Sequence, residues 1–326
     1  MFNFTYQYCN HTDYLHHLAD AAGVPVIDNA ISLPPEIGTG YIKAIELANG
    51  LQVLINECVT DQDVSFKREA ALDESYTLRF DAVKNVKALT IQIDNDTLND
   101  EDLIYSGAFL TNSLFGFEYT ATAGAEDRCI NIYFTAEWLK NNVGIQSSDE
   151  AFKEYLSLKT ATLNFEILNL EYRTLMEEIF EINEQLPMYK VVIQNRVMLL
   201  IEKFFRSILS KISKKKKPVN INDTSIKRVM LVESILVSNL SAPPPTIPVL
   251  ARKAMMSETK LKNLFKNVYG LSLYEYYQKN RMLKARQLLR SKKYSVKETG
   301  TALGFKNLSN FTIAYKKEFN LSLIHI

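Results

Sequence analysis

The sequence predicts a multidomain α+β protein: a β-rich N-terminal domain, a helical connector, and an all-α C-terminal domain with two helix-turn-helix motifs. Three observations carry this. Polar and apolar residues alternate in short runs up to residue 140. A stripe of apolar residues at 3,4 spacing runs from Pro187 to Ile212. Residues 257–273 return, fifty positions later, as 307–323. The boundaries that follow are 1–147 for the β-rich domain, 148–217 for the connector and 218–326 for the helical domain.

The period-two runs are Leu51/Val53/Ile55, Tyr76/Leu78/Phe80, Leu89/Ile91/Ile93 and Ile130/Ile132/Phe134. Each reads as a half-buried strand. Asn49-Gly50 between apolar stretches is a hairpin signal, and His11 to Ala22 a short helix. Several short strands joined by polar turns suggest a small barrel or sandwich.

From Ser148 the texture becomes helical, with a candidate at Asn169–Asn183 and a stronger one at Pro187–Ile212. The second carries Met188, Val191, Asn195, Met198, Ile201, Phe205, Ile208 and Ile212 at heptad-like spacing. Such a stripe can be a coiled-coil seam whose single Asn fixes register. The alternative is that it packs on the chain's own β domain. As a seam it makes Val191, Asn195, Met198, Ile201, Phe205 and Ile208 the dimerisation residues. Lys214–Lys217 and Pro218 mark a linker, Asp223–Leu240 a further helix, and Ser241–Pro245 a stiff loop.

The repeat reads as two capped helices. Ser257 and Asn307 are good N-caps; Gly270 and Asn320 readily adopt the left-handed conformation that closes a helix. Positions 261, 264, 265, 268 and 311, 314, 315, 319 share one buried face, while the opposite faces diverge. A shorter helix precedes each copy, Val249–Ala254 and Val296–Leu303, with small Ala251 and Gly300 where a second helix can cross closely. Helix, tight turn and capped helix is the plan whose second helix enters the DNA major groove. The intervening Leu273–Leu289 reads as one amphipathic helix. At 1.5 Å per residue it spans roughly 25 Å, enough to hold two heads on one face of a duplex.

Charge follows the same division. The net charge of +1 combines +12 for residues 247–326 (16 Lys+Arg, 4 Asp+Glu) with −11 for the rest (22 and 33). A basic module on an acidic body suits a phosphate-facing domain. Three dispersed cysteines, Cys9, Cys58 and Cys129, give no metal spacing or disulfide framework and point to a reducing cytoplasm. The start of the chain lacks a signal-peptide pattern, and no apolar run approaches the ~20 residues of a membrane span. His11, His16 and His17 do not form a metal set, so no metal or cofactor is expected. Seventeen Tyr and seventeen Phe residues favour a small organic effector over a metal ion.

The stretch 222–323 resembles the DNA-binding domain of the AraC/XylS family of transcriptional regulators. The resemblance rests on Leu250-Ala251, Ser257, Leu261, Phe265-Lys266, Gly270, Ser272, Tyr276, Arg281, Ala285 and Leu288-Leu289. It continues through Ser295-Val296, Glu298, Leu303-Gly304-Phe305, Asn307, Ser309, Phe311, Lys316-Lys317 and Phe319. Asn320 stands where the family has Gly, and the family's later Pro is absent. The resemblance implies a cupin-like sensor in the β half, a homodimer made through the connector, and activation of a promoter in company with RNA polymerase. The segment from Lys260 to Phe319 is most similar to siderophore-responsive members of the pyochelin-regulator type.

Base reading is expected from Thr259, Lys262 and Asn263 on the first recognition helix and from Ser309, Thr312 and Ile313 on the second. Leu308 is a further apolar base contact. Lys260, Lys266, Asn307 and Lys316 are expected near phosphate. The second head, without a cation or amide at 312 and 313, should read less sharply. Arg281 reads as a structural tie. The resulting expectation is an effector-responsive DNA-binding regulator, not an enzyme. The alternatives are a DNA-binding protein without a ligand, and a DNA-repair enzyme with an activated cysteine.

Overall fold

A computed structural model describes residues 1–84, 89–93, 96–100, 106–146, 152, 166–213, 224–290 and 293–319. The lysine run at 214–217 and the second-copy cap at Asn320 lie outside the described residues. The chain forms two compact units. One is Met1–Leu168 with Pro187–Asp223; the other is Asn169–Leu186 with Thr224–Ile326. The expected connector is thus divided. Its first helix belongs to the C-terminal unit and its second to the β unit.

The β unit holds two sheets. The first has the order β1 (Phe2–Gln7), β5 (Val64–Glu69), β10 (Phe117–Ala121), β7 (Leu89–Ile93), β8 (Asp96–Asp100). The second has the order β12 (Glu166–Ile167), β9 (Ser106–Asn112), β6 (Ser75–Lys84), β11 (Glu126–Thr135), β4 (Gln52–Thr60), β3 (Gly38–Glu46), β2 (Ala30–Ser32). β1 and β5 run parallel, and the other pairings are antiparallel. The hairpin expected at Asn49-Gly50 joins β3 to β4, with both residues left-handed (φ 63° and 77°). Helix α1 (His11–Ala22) is capped by Asn10 and Gly23 and buries Leu15 and Leu18 against Ile31, Ile42 and Ala44. Helix α2 (Ala136–Val143) follows β11.

Sheet alternation has an outcome the sequence did not suggest. In β6 and β11 the apolar set Tyr76, Leu78, Phe80 and Ile130, Ile132, Phe134 is buried, as expected. It faces helix α4 (Tyr189–Ser213): the Phe80 and Phe204 rings lie 6.5 Å apart and those of Phe134 and Phe205 6.4 Å. The alternate set, Asp81, Cys129 and Asn131, is also buried. It faces the interior between the two sheets, where solvent would be the ordinary expectation for polar residues on an alternating strand.

The same packing corrects the seam. Ile201, Phe205 and Ile208 are 1%, 2% and 3% exposed within the β unit, so they cannot also meet a second chain. Val191 and Asn195 face outward, and Met198 is half-buried. The 3,4 stripe recorded burial without saying against what.

The C-terminal unit is helical: α3 (Leu170–Phe180), α5 (Thr224–Ser238), α6 (Ile247–Lys253), α7 (Glu258–Tyr269), α8 (Leu273–Arg290), α9 (Val296–Ala302) and α10 (Leu308–Phe319). Helix α8 is its spine. Tyr276 packs with Phe265 and Tyr269 of α7, at ring separations of 5.4 and 5.0 Å. Met282, Ala285 and Leu289 pack with Leu303, Phe311 and Tyr315. Helix α3 is pinned to this spine by charge. Arg173 meets Glu233 of α5 at 3.2 Å, and the Tyr276 hydroxyl donates to the same carboxylate at 2.8 Å. Arg286 lies 3.6 Å from Glu181 and 3.9 Å from Glu178. No described helix is long and apolar enough to cross a membrane.

Candidate nucleic-acid interface

Each repeat copy folds as helix, turn, helix. In the first, α6 ends at Lys253 and the chain reverses at Met255, which is left-handed (φ 50°). The Met256 amide donates back to the Ala251 carbonyl at 3.0 Å. Ser257 then caps α7, its hydroxyl accepting from the Lys260 amide at 3.3 Å. Gly270 closes α7 in the left-handed conformation (φ 77°). In the second, Ser295 and Glu298 form a reciprocal capping box that starts α9. The Ser295 hydroxyl and amide hold the Glu298 carboxyl below its usual range. Gly304 makes the reversal (φ 73°), and the Phe305 amide donates to the Gly300 carbonyl at 2.9 Å. Asn307 caps α10 by accepting from the Ser309 amide at 2.8 Å.

The small residues act as anticipated. Ala251 is buried. A Cβ on Gly300 would lie 3.3 Å from the Phe311 ring, so only a residue without one fits easily. Gly304 is more restricted still: a Cβ there would come within 1.8 Å of the Ser241 carbonyl oxygen.

Arg281 is a tie within this unit. Its guanidinium donates twice to the Leu303 carbonyl, at 2.8 and 2.5 Å, and lies 3.8 Å from the Phe305 ring centroid. Partial burial lowers its pKa from the ordinary arginine value. Tyr277 likewise secures the loop after α5, its hydroxyl donating to the Ala242 carbonyl at 2.5 Å. The two heads are therefore held to one spine by buried rings and directed hydrogen bonds.

The outward faces carry the residues singled out by the sequence. Thr259, Lys260, Lys262, Asn263 and Lys266 are exposed on α7. Asn307, Leu308, Ser309, Ile313 and Lys316 are exposed at α10, with Leu308 at 44% and Ile313 at 66%. Thr312 differs: it is half-buried, and its hydroxyl donates to the Leu308 carbonyl at 3.0 Å. The hydroxyl proton is thus committed to the helix backbone. Lys262 lies 3.9 Å from Glu258 one turn earlier, an exposed pair that holds little energy.

The structure adds exposed residues that the sequence reading passed over. Asn310 lies on the outer face of α10, with Lys306 before it and Lys317 beyond. Arg252 and Lys253 are exposed at the end of α6. Asn310 was discoverable, since the fifty-residue offset maps it onto Lys260. Together these faces present cations, amides and apolar groups, the chemistry that phosphate neutralisation and base-edge testing require.

Comparison with known proteins agrees on this segment. Residues 250–325 match a family described as "Helix-turn-helix domain". Among curated proteins, the probable transcription factor PqrA of Proteus vulgaris is 35% identical over 74 residues, covering 23% of this chain and 61% of PqrA. The chain thus spans about three fifths of that relative's length. A transcriptional regulator of Chromobacterium violaceum, described as AraC-type DNA-binding domain-containing, is 29% identical across 31% of this chain and 89% of its own, with a TM-score of 0.28. Wild-type ToxT from Vibrio cholerae, solved with an unsaturated fatty acid bound, is 14% identical across 85% of this chain and 95% of its own, with a TM-score of 0.30. The C-terminal segment, residues 250–325, thus carries a helix-turn-helix domain.

Proposed function

We propose that this protein is a sequence-specific, DNA-binding transcription regulator whose β unit senses a small organic effector. The observation that carries the reading is the pair of outward helix faces within a segment of net charge +12. Lys260, Lys266, Asn307 and Lys316 hold phosphate and set register. Thr259, Lys262 and Asn263 read bases from α7; Leu308, Ser309, Thr312 and Ile313 do so from α10, with Asn310 beside them. An effector that binds one arrangement of the protein better than another shifts how the heads are presented. Activation in company with RNA polymerase, and a pyochelin-regulator-like effector range, are the finer readings that the sequence resemblance supports. Self-association has Val191 and Asn195 on the outward side of α4 available to it, beside exposed Met188 and Leu209.

Thiol chemistry argues against the repair-enzyme alternative. Burial pushes the Cys9 thiol up to about 11, and it raises Cys58 and Cys129 further. Activated nucleophilic cysteines are shifted the other way. The test is an electrophoretic shift of the full chain on its own upstream DNA against random duplex of equal length. Preferential retardation of the upstream DNA is expected; equal or no retardation contradicts the proposal. Ligand-dependent melting of the β unit separates an effector-responsive regulator from a constitutive one.

A further inference from the structure

The interior between the two sheets contains a cavity of about 90 Å³. That is several times the roughly 10–15 Å³ that one water needs on the same scale. Its walls differ. From the first sheet and α1 it meets rings, among them Phe2, Tyr14, Phe66 and Tyr119. From the second sheet it meets polar side chains, including Asn56, Thr60 and Asn131. Strand register places these together: Asn131 of β11 stands beside Arg79 of β6, and Asp127 beside Cys58 of β4.

Four buried atoms of cavity-lining residues, one from the start of α1 and three from the second sheet, have no hydrogen-bond partner among the described residues: His11 Nε2, Asn56 Oδ1, Thr60 Oγ1 and Asn131 Oδ1. His11, Thr60 and Asn131 are only 7%, 8% and 3% exposed. A buried polar atom left without a partner costs about 1–3 kcal/mol, so four around one cavity is a costly arrangement for a purely structural interior. Burial, with Arg79 nearby, pushes the His11 pKa down to about 3, and the ring hydrogen-bonds to the Asn131 backbone. A neutral imidazole donating there presents Nε2 as an acceptor. Asn56 and Asn131 present carbonyl oxygens, and Thr60 can accept as well. The wall therefore asks for donors.

Charge narrows the class. Arg79 is paired with Asp81 at 3.1 Å. Arg68 donates to the Thr111 hydroxyl and to the carbonyls of Asn112 and Phe115. An anion would set its lone pairs against those of the acceptors. The Arg68 and Arg79 guanidinium groups line the cavity together with the Asp127 carboxyl, whose pKa burial raises to about 6, so these charges offset one another and favour neither sign of ligand charge. We infer that this interior binds a small neutral molecule with two or more hydroxyl donors along one edge of an apolar ring, its donors meeting His11, Asn56, Thr60 and Asn131. The inference rests on the proposal that the β unit is a sensor, and it names the ligand class.

The experiment uses the full chain and calorimetric titration with resorcinol and 3-hydroxybenzyl alcohol, against benzoate, decanoate, benzylamine and toluene. The hydroxylated neutral probes should bind at least about tenfold more tightly than any control. Asn131→Leu should weaken them by about tenfold or more, the scale of one unmet acceptor. Thr60→Val, which keeps shape, should weaken them less, and it serves if Asn131→Leu does not fold. Absence of binding by both hydroxylated probes at millimolar concentration, tighter binding of an anion, or unchanged affinity in the variants would overturn the inference, leaving water as the partner of these atoms. DNA retardation is measured on the same preparations. Retained DNA binding without probe binding defeats this inference alone, whereas absent DNA binding defeats the regulator proposal whatever the probes do.

Discussion

The two helix-turn-helix units share a frame and differ where they meet solvent. Position for position, Lys260 corresponds to Asn310, Lys262 to Thr312 and Asn263 to Ile313. The first head exposes charge and an amide; the second exposes an amide and an aliphatic surface, with its Thr312 hydroxyl turned to its own backbone. Their reversals also differ. The left-handed residue stands two positions before the cap in the first copy (Met255, Ser257) and three before it in the second (Gly304, Asn307). Buried faces that must pack on one spine stayed alike, while exposed faces were free to specialise. A duplicated fold need not give duplicated reading.

Each head has its own anchor, and breaking the anchors should have the largest effects. On the first side, Arg173→Met removes the cation from the buried Glu233 carboxylate and leaves it the Tyr276 hydroxyl among the described residues. Removing one partner of a buried pair costs about 3–5 kcal/mol. Denaturant unfolding, with hydrogen exchange to localise the loss, should place it in the C-terminal unit, and an unchanged midpoint would remove the triad from the account. On the second side, Gly304→Ala forces a Cβ toward the Ser241 carbonyl in a left-handed residue. A loss of about 2–3 kcal/mol is expected from strain and overpacking together, with amide protection falling around α9 and α10. An effect confined to α6 and α7 would contradict the assignment of anchors.

Smaller effects sharpen the asymmetry in reading. Asn263→Ala should cost about 1–3 kcal/mol of binding to specific DNA and relax one base position. Thr312→Ala should cost less, because its hydroxyl proton is already engaged by the Leu308 carbonyl. Selection from randomised duplexes would show the difference, and equal relaxation in both variants would make the heads equivalent. The smallest change runs the other way. Met255→Gly should stabilise the protein by about 0.5–1 kcal/mol, since glycine adopts a left-handed turn without the Cβ penalty. Destabilisation on thermal melting would mean that the Met255 side chain has a role in packing.

Legibility in the sequence followed the same division between repeated and unrepeated pattern. The caps Ser257, Gly270 and Asn307 and the close-packed Ala251 and Gly300 could be read because the repeat supplied two copies of each constraint. The strands around Val53, Leu78 and Ile132 were also legible. Their polar alternates were not, since period-two alternation states that two faces differ and not that the polar one is exposed. On a half-buried strand Asn56 and Asn131 would face solvent, but they line a protein interior instead. The α4 stripe misled in a related way. Periodicity identified Ile201, Phe205 and Ile208 as buried, but a partner chain and an adjoining sheet leave the same spacing. The affiliation of α3 with the C-terminal unit had no local signal, because it depends on Arg173, Glu178 and Glu181 meeting residues far along the chain.

The central claim is that residues 224–319 present two phosphate-facing heads to duplex DNA. Its most direct test is the salt dependence of full-chain binding to its own upstream DNA, followed by fluorescence anisotropy. If both heads contribute and about six phosphates are neutralised, log K against log salt should fall with a slope of about −5. Lys260→Ala with Lys316→Ala, one lysine from each head, should reduce that slope by about 2. A slope near zero, or one that the paired substitution leaves unchanged, would contradict the account.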